Sequence, residues 1–97
     1  MIDANLEQVV LTHSKDNVVT AKCVIPAGTL VELPGGKKVK VNEEIPFAHK
    51  IAIRKIPKGG AVVKYGERIG KAIRIIEPGD LVHIHNVVGE RGKRRRK

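Results

Sequence analysis

Apolar residues recur along this chain in short β-branched runs, each closed by proline or glycine. Runs of this length with such punctuation are the signature of strands and tight turns rather than of amphipathic helices. The pattern predicts strands over residues 18–25, 39–41, 50–56, 61–65, 69–76 and 80–88. Only residues 3–11 have helical spacing, through Leu6, Val9 and Val10, and the match is thin. The expectation is an all-β domain with little or no helix.

A small motif recurs: Ile25-Pro26-Ala27-Gly28, Ile56-Pro57-Lys58-Gly59 and Ile76-Glu77-Pro78-Gly79, each followed by a new apolar run. Proline presets the first central φ of a turn and glycine supplies the left-handed position after it, so the chain should reverse near 28, 59 and 79. Pro34-Gly35-Gly36 marks a further reversal leading into residues 37–41. Several short strands leave sheet edges, and Lys37, Lys38, Lys40, Glu43 and Glu44 read as the charged rim that keeps such edges from pairing with other chains.

Size and charge narrow the functional classes. Ninety-seven residues make one small domain, too small to enclose a substrate by itself. The formal net charge of +9 points first to nucleic acid. Six of the 19 Lys and Arg residues, however, fall in residues 91–97, leaving 13 against 10 acids over residues 1–90. The domain proper, residues 1–90, is therefore nearly neutral, and residues 91–97 read as a basic, disordered tail without a core of its own. With one Phe, one Tyr and no Trp, the chain is poorly equipped to stack on single-stranded bases. A basic binding module touching nucleic acid through its tail stays as the alternative, to be tested by a salt-dependent gel shift with and without residues 91–97.

Cys23, the one cysteine, excludes an intramolecular disulfide and a thiolate zinc cluster, and its apolar surroundings in sequence read as those of a small buried hydrophobe. No secretory signal follows Met1 and no apolar stretch approaches a membrane span, so a reducing cytoplasm is the expected setting.

Candidate chemistry concentrates on histidine. In Val82-His83-Ile84-His85-Asn86, strand alternation would point Val82 and Ile84 one way and His83 and His85 the other, roughly 6–7 Å apart at the backbone. That spacing suits two ligands on one metal ion, or a ligand beside a proton carrier; an exposed structural pair fits it equally. His49 stands at the mouth of a strand and shares the face of Ile51 and Ile53, where partial desolvation favours a neutral imidazole. Lys64 is suited to clamp a carboxylate, and Tyr65 to donate a hydrogen bond or a proton. His13 reads as a loop residue without a role.

Taken in order, Asp16-Asn17-Val18, His49-Lys50-Ile51-Ala52, Ile56-Pro57-Lys58-Gly59, Val63-Lys64-Tyr65-Gly66, Ile69-Gly70-Lys71-Ala72 and Val82-His83-Ile84-His85-Asn86 resemble the amino-terminal SAF domain of the altronate and galactarate dehydratases. The resemblance spans about residues 8–88 and implies a β-clip fold. It also implies a lyase that removes water from a sugar acid to give a 2-keto-3-deoxy acid. In some members the domain is fused to a large catalytic domain; in others, including sulfolactate sulfo-lyases, it is a separate small subunit, and this chain resembles the second arrangement. The partners implied are a large catalytic subunit and a sugar-acid substrate, without a membrane; self-association is compatible with both. Carried over by position, His83, His85 and His49 are the catalytic candidates, with His83 and His85 also the metal candidates. Lys64, Tyr65, Asn86 and Lys50 are the candidates for substrate binding. Family members use a divalent cation, often iron or manganese. The sequence departs from the family where Phe47-Ala48 precede His49 in place of a glycine, and in its basic tail.

Overall fold

The computed structural model describes residues 8–89, so the basic tail and the outer limits of the domain lie outside the described residues. Among the described residues there is no helix; nine short strands form three antiparallel sheets. The largest sheet joins β1 (Val9–Val10), β2 (Val18–Ala21), β5 (Lys50–Ala52) and β8 (Leu81–Val82) in that order. The hairpin of β3 (Leu30–Glu32) and β4 (Lys38–Lys40) stands alone, and β6 (Ala61–Lys64), β7 (Glu67–Ala72) and β9 (Val87–Gly89) form the third sheet. Val9 and Val10 are thus strand residues rather than part of a helical turn.

The repeated motif explains the architecture, and it occurs four times rather than three. Ile25, Ile45, Ile56 and Ile76 are each at most 1% exposed, and they bridge in pairs, Ile25 with Ile45 and Ile56 with Ile76. Three residues after each isoleucine the backbone is left-handed, at Gly28 (φ 87°), Ala48 (φ 71°), Gly59 (φ 86°) and Gly79 (φ 93°). Each of these residues donates its N–H to the carbonyl four residues before the partner isoleucine: Gly28 to Val41, Ala48 to Ala21, Gly59 to Ala72 and Gly79 to Ala52, at 2.7–2.9 Å. Two arms therefore clasp each other reciprocally, and each clasp closes a hairpin, β3–β4 in the first unit and β6–β7 in the second. β5 leaves the first clasp and enters the second, so both units share it.

The clasps correct several strand limits. Residues 22–25, 53–56 and 73–76 leave the sheets to form arms, so the strands expected over 18–25, 50–56 and 69–76 end at Ala21, Ala52 and Ala72. Cys23 consequently lies on a bend and is exposed, not buried.

Two cores flank the large sheet. Val19, Ile51 and Leu81 are aligned across β2, β5 and β8 and face the first core, with Val31, Val41 and Ile45. Val18 and Ala52 face the second, with Ile56, Val62 and Ile76. By the same alternation Thr20, Lys50 and Val82 form a row on the second face. Asn17 ties the second unit to this sheet, accepting from the Val63 N–H at 2.9 Å and donating to the Ala61 carbonyl at 2.9 Å.

Candidate active site

The expected strand over residues 80–88 is broken. Residues 83–86 form a turn between β8 and β9, so His83 and His85 do not alternate along a strand, and Ile84, 80% exposed, does not join Val82 on the core face. Asn86 makes the turn: its buried carboxamide accepts from the His83 N–H at 2.9 Å and donates to the Leu81 carbonyl at 2.8 Å. Both ends of that side chain are engaged by backbone. His85 is exposed in the same turn and makes no ring contact with another histidine among the described residues.

The imidazole brought to His83 is that of His49. β5 pairs with β8 through Lys50 opposite Val82 and Ile51 opposite Leu81, and the same register continued one step sets His49 opposite His83. The ring centroids are 4.8 Å apart at an interplanar angle of 61°. His49 Nδ1 lies 3.1 Å from the Phe47 carbonyl, which can only accept, so Nδ1 is assigned the proton and Nε2 keeps its lone pair. The pair sits at the molecular edge between two exposed apolar residues, Phe47 (64%) and Ile84.

A second group flanks Lys50. Tyr65 and Gly66 both adopt left-handed backbone, the requirement of a two-residue type I′ turn, at the tip of β6–β7. Lys64 is buried, and its Nζ stands 3.9 Å from the Tyr65 ring centroid. Hydrogen bonding to Lys64 and its positive charge, joined by the charge of Lys50, hold the Tyr65 phenol below its usual pKa, against a smaller desolvation effect. The turn rests on Asp16, a buried carboxylate that accepts from the Gly66 N–H at 2.8 Å and the Thr12 hydroxyl at 2.6 Å. Burial alone would raise the pKa of Asp16; bonds from Thr12, Gly66 and the Tyr65 N–H, with the charge of His13, together outweigh it and lower it. His13 packs on Gly66 closely enough that a Cβ there would meet its ring at 2.9 Å.

Of the seven candidates, then, His49 meets His83, Lys64 meets Tyr65, and Lys50 links the two groups through the chain and through its charge. Sequence reading missed Thr20, whose buried hydroxyl on the same sheet face as Lys50 has no hydrogen-bond partner among the described residues. A threonine in a strand carries no such signal in sequence. It also gave no role to Asp16, which Asp16-Asn17 marks only as turn chemistry. Among the described residues no three His, Cys, Asp or Glu side chains gather closely enough to hold a metal ion. No helix among them is long and apolar enough to cross a membrane.

The chain is thus an all-β pair of clasps with paired imidazoles and a lysine-tyrosine group. Residues 7–90 match the family model of the altronate/galactarate dehydratase SAF domain, and the chain belongs to that family. It is 36% identical over 74 residues to an altronate dehydratase of Bacillus subtilis (strain 168), covering 76% of this chain and 15% of that protein. It is 37% identical over 78 residues to a galactarate dehydratase (L-threo-forming) of Escherichia coli (strain K12), covering 78% and 14%. Against the (2R)-sulfolactate sulfo-lyase subunit alpha of Chromohalobacter salexigens the identity is 40% over 52 residues, 54% of this chain and 55% of that one. The chain thus spans about one seventh of the dehydratases it matches.

Proposed function

We propose that this chain is the small subunit of a hydroxy-acid lyase that removes water from a sugar acid of the altronate or galactarate kind, on a site completed by a large catalytic subunit. The observation carrying this reading is the His49–His83 contact at an exposed edge. Phe47 and Ile84 on either side of the pair are apolar surface suited to burial by that subunit.

The elimination needs a base for the proton α to the carboxylate and an acid for the departing hydroxyl. His49 Nε2 has the free lone pair to take the α proton; the electrons of that C–H bond form the new double bond as the β C–O bond breaks. The hydroxyl leaves as water after gaining a proton from an acid at the site, for which His83 and Tyr65 are the candidates, and the enol product ketonises. Lys50 and Lys64 supply positive charge for the substrate carboxylate. An iron or manganese ion would need ligands beyond the two imidazoles, which the large subunit would have to provide; the steps above do not use it.

The sulfo-lyase relative, which this chain covers far more fully than it covers the dehydratases, favours a second reading in which sulfite leaves in place of water. Both are tested by combining the full chain with its large subunit and assaying water loss from altronate and galactarate and sulfite release from sulfolactate. His49→Ala and His83→Ala are each expected to lower the productive rate by about 10²–10⁴-fold. Unchanged rates in both variants would overturn the assignment.

A further inference from the structure

We infer that a pocket separate from the His49–His83 edge binds a compact organic anion with an apolar body. The pocket lies beyond the other end of β5, where Ile53 stands about 13 Å along the strand direction from His49. Its volume is about 240 Å³. Leu11 comes to it from the connection after β1, Leu33 from the β3–β4 hairpin and Ile53 from the arm after β5; all three pack on the first core and form its floor. Lys37 and Arg54 stand on its walls with Ser14.

The charges decide the ligand. No acidic residue lines the pocket, and neither Lys37 nor Arg54 has an ion pair with another described residue. Two cations gathered around one apolar floor repel each other, and an anion seated between them removes that repulsion while Arg54 offers a planar fork to a carboxylate or phosphate. The volume lies below the ~300–1,000 Å³ of pockets for drug-sized ligands, so the ligand is small. Leucine and isoleucine side chains offer a polyhydroxy acid nothing for its hydroxyls, which would lose their water without replacement. The pocket therefore suits an anion whose body is a short aliphatic chain or single ring, a different class from a sugar acid.

The test uses methyl NMR of the full chain titrated with benzoate, phenyl phosphate, benzyl alcohol and galactarate. With only one Phe and one Tyr in the protein, ring-current shifts from an aromatic probe stand out against the chain's own. Benzoate or phenyl phosphate should give saturable shifts at Leu11, Leu33 and Ile53, and the stronger of the two identifies the carboxylate or the phosphate as the preferred head group. Lys37→Ala and Arg54→Ala, both exposed positions, should each weaken binding about tenfold. The inference is overturned if neither anion shifts those methyls, if benzyl alcohol or galactarate shifts them as strongly, or if both variants bind as the parent does. Each of these outcomes is independent of whether the lyase reading holds.

Discussion

At the scale of single residues, Tyr65 offers a direct reading of its surroundings. It is the one tyrosine in a chain without tryptophan, so its ionisation is visible by ultraviolet absorbance without correction. The phenol should titrate below its usual value near 10, and Lys64→Met should return it toward that value, because the hydrogen bond and the nearest positive charge go together. Asp16 gives a pH test of opposite kind. Its folded pKa is depressed, so it binds a proton less readily folded than unfolded. The stability it contributes is present above its ordinary value of 3.8 and is lost as pH falls from there through the lower folded value. Asp16→Asn should cost about 1–3 kcal/mol at neutral pH through its broken hydrogen bonds. In urea unfolding, the deficit should shrink as pH falls below about 4, where the unfolded parent takes up a proton that the folded carboxylate still resists. His49, His83 and Tyr65 are legible as candidates in the sequence because histidine and tyrosine are uncommon in it, and Lys64 because it adjoins the one tyrosine. That His83 meets His49 rather than lying beside His85 is not legible, since Asn86 turns the chain through a side-chain contact to backbone that no local periodicity reports.

At the scale of elements, the clasps set which glycines matter. Gly28 and Gly59 have open space where a Cβ would stand, so replacing either by alanine should cost only the left-handed penalty of about 1–2 kcal/mol. Gly79 is different. A Cβ there would collide with the Lys40 carbonyl and crowd Asn42, whose N–H donates to the Gly79 carbonyl at 3.0 Å, so Gly79→Ala should be clearly worse than Gly59→Ala. The converse change, Ala48→Gly, relieves an alanine held at φ 71° and should raise the melting temperature, because a left-handed penalty of about 1–2 kcal/mol exceeds the ~0.5–1 kcal/mol entropic cost of a new glycine. Thermal unfolding of the four variants checks the order. Three arms are legible in sequence because each ends in glycine; the fourth, Ile45-Pro46-Phe47-Ala48, is hidden by its alanine. Strand ends are overrun for a related reason. Residues 22–25, 53–56 and 73–76 are as apolar or β-branched as the strands before them, and only the partner arm's hydrogen bond explains where pairing stops.

For the whole molecule, the shared strand is decisive. Ile51 fills the first core and its neighbour Ala52 the second, so neither unit can lose β5 without exposing the other. Ile56→Ala, which cuts into the second core alone, should destabilise by about 2–5 kcal/mol and yet melt both cores together. Methyl signals of Val31 and Val62 report the two cores; earlier loss of Val62 would show that the units unfold separately. The all-β class is legible from short β-branched runs and Pro-Gly punctuation, and the nine strands among the described residues agree with it. The two-unit arrangement is not, because the partners of each isoleucine lie twenty residues away and nothing between them marks the crossing.

The repetition of the clasp also makes its departures readable. After the left-handed position the four arms carry Thr29, His49, Gly60 and Asp80. Three arms turn their corner on glycine; the one whose corner breaks the glycine rule is the one that carries an imidazole next to it. An alanine corner has fewer backbone conformations to wander into than a glycine, so His49 follows the corner with the least backbone freedom of the four. A frame built by repetition thus keeps its individuality at one vertex, and changes made at the other three can be compared with it inside a single molecule.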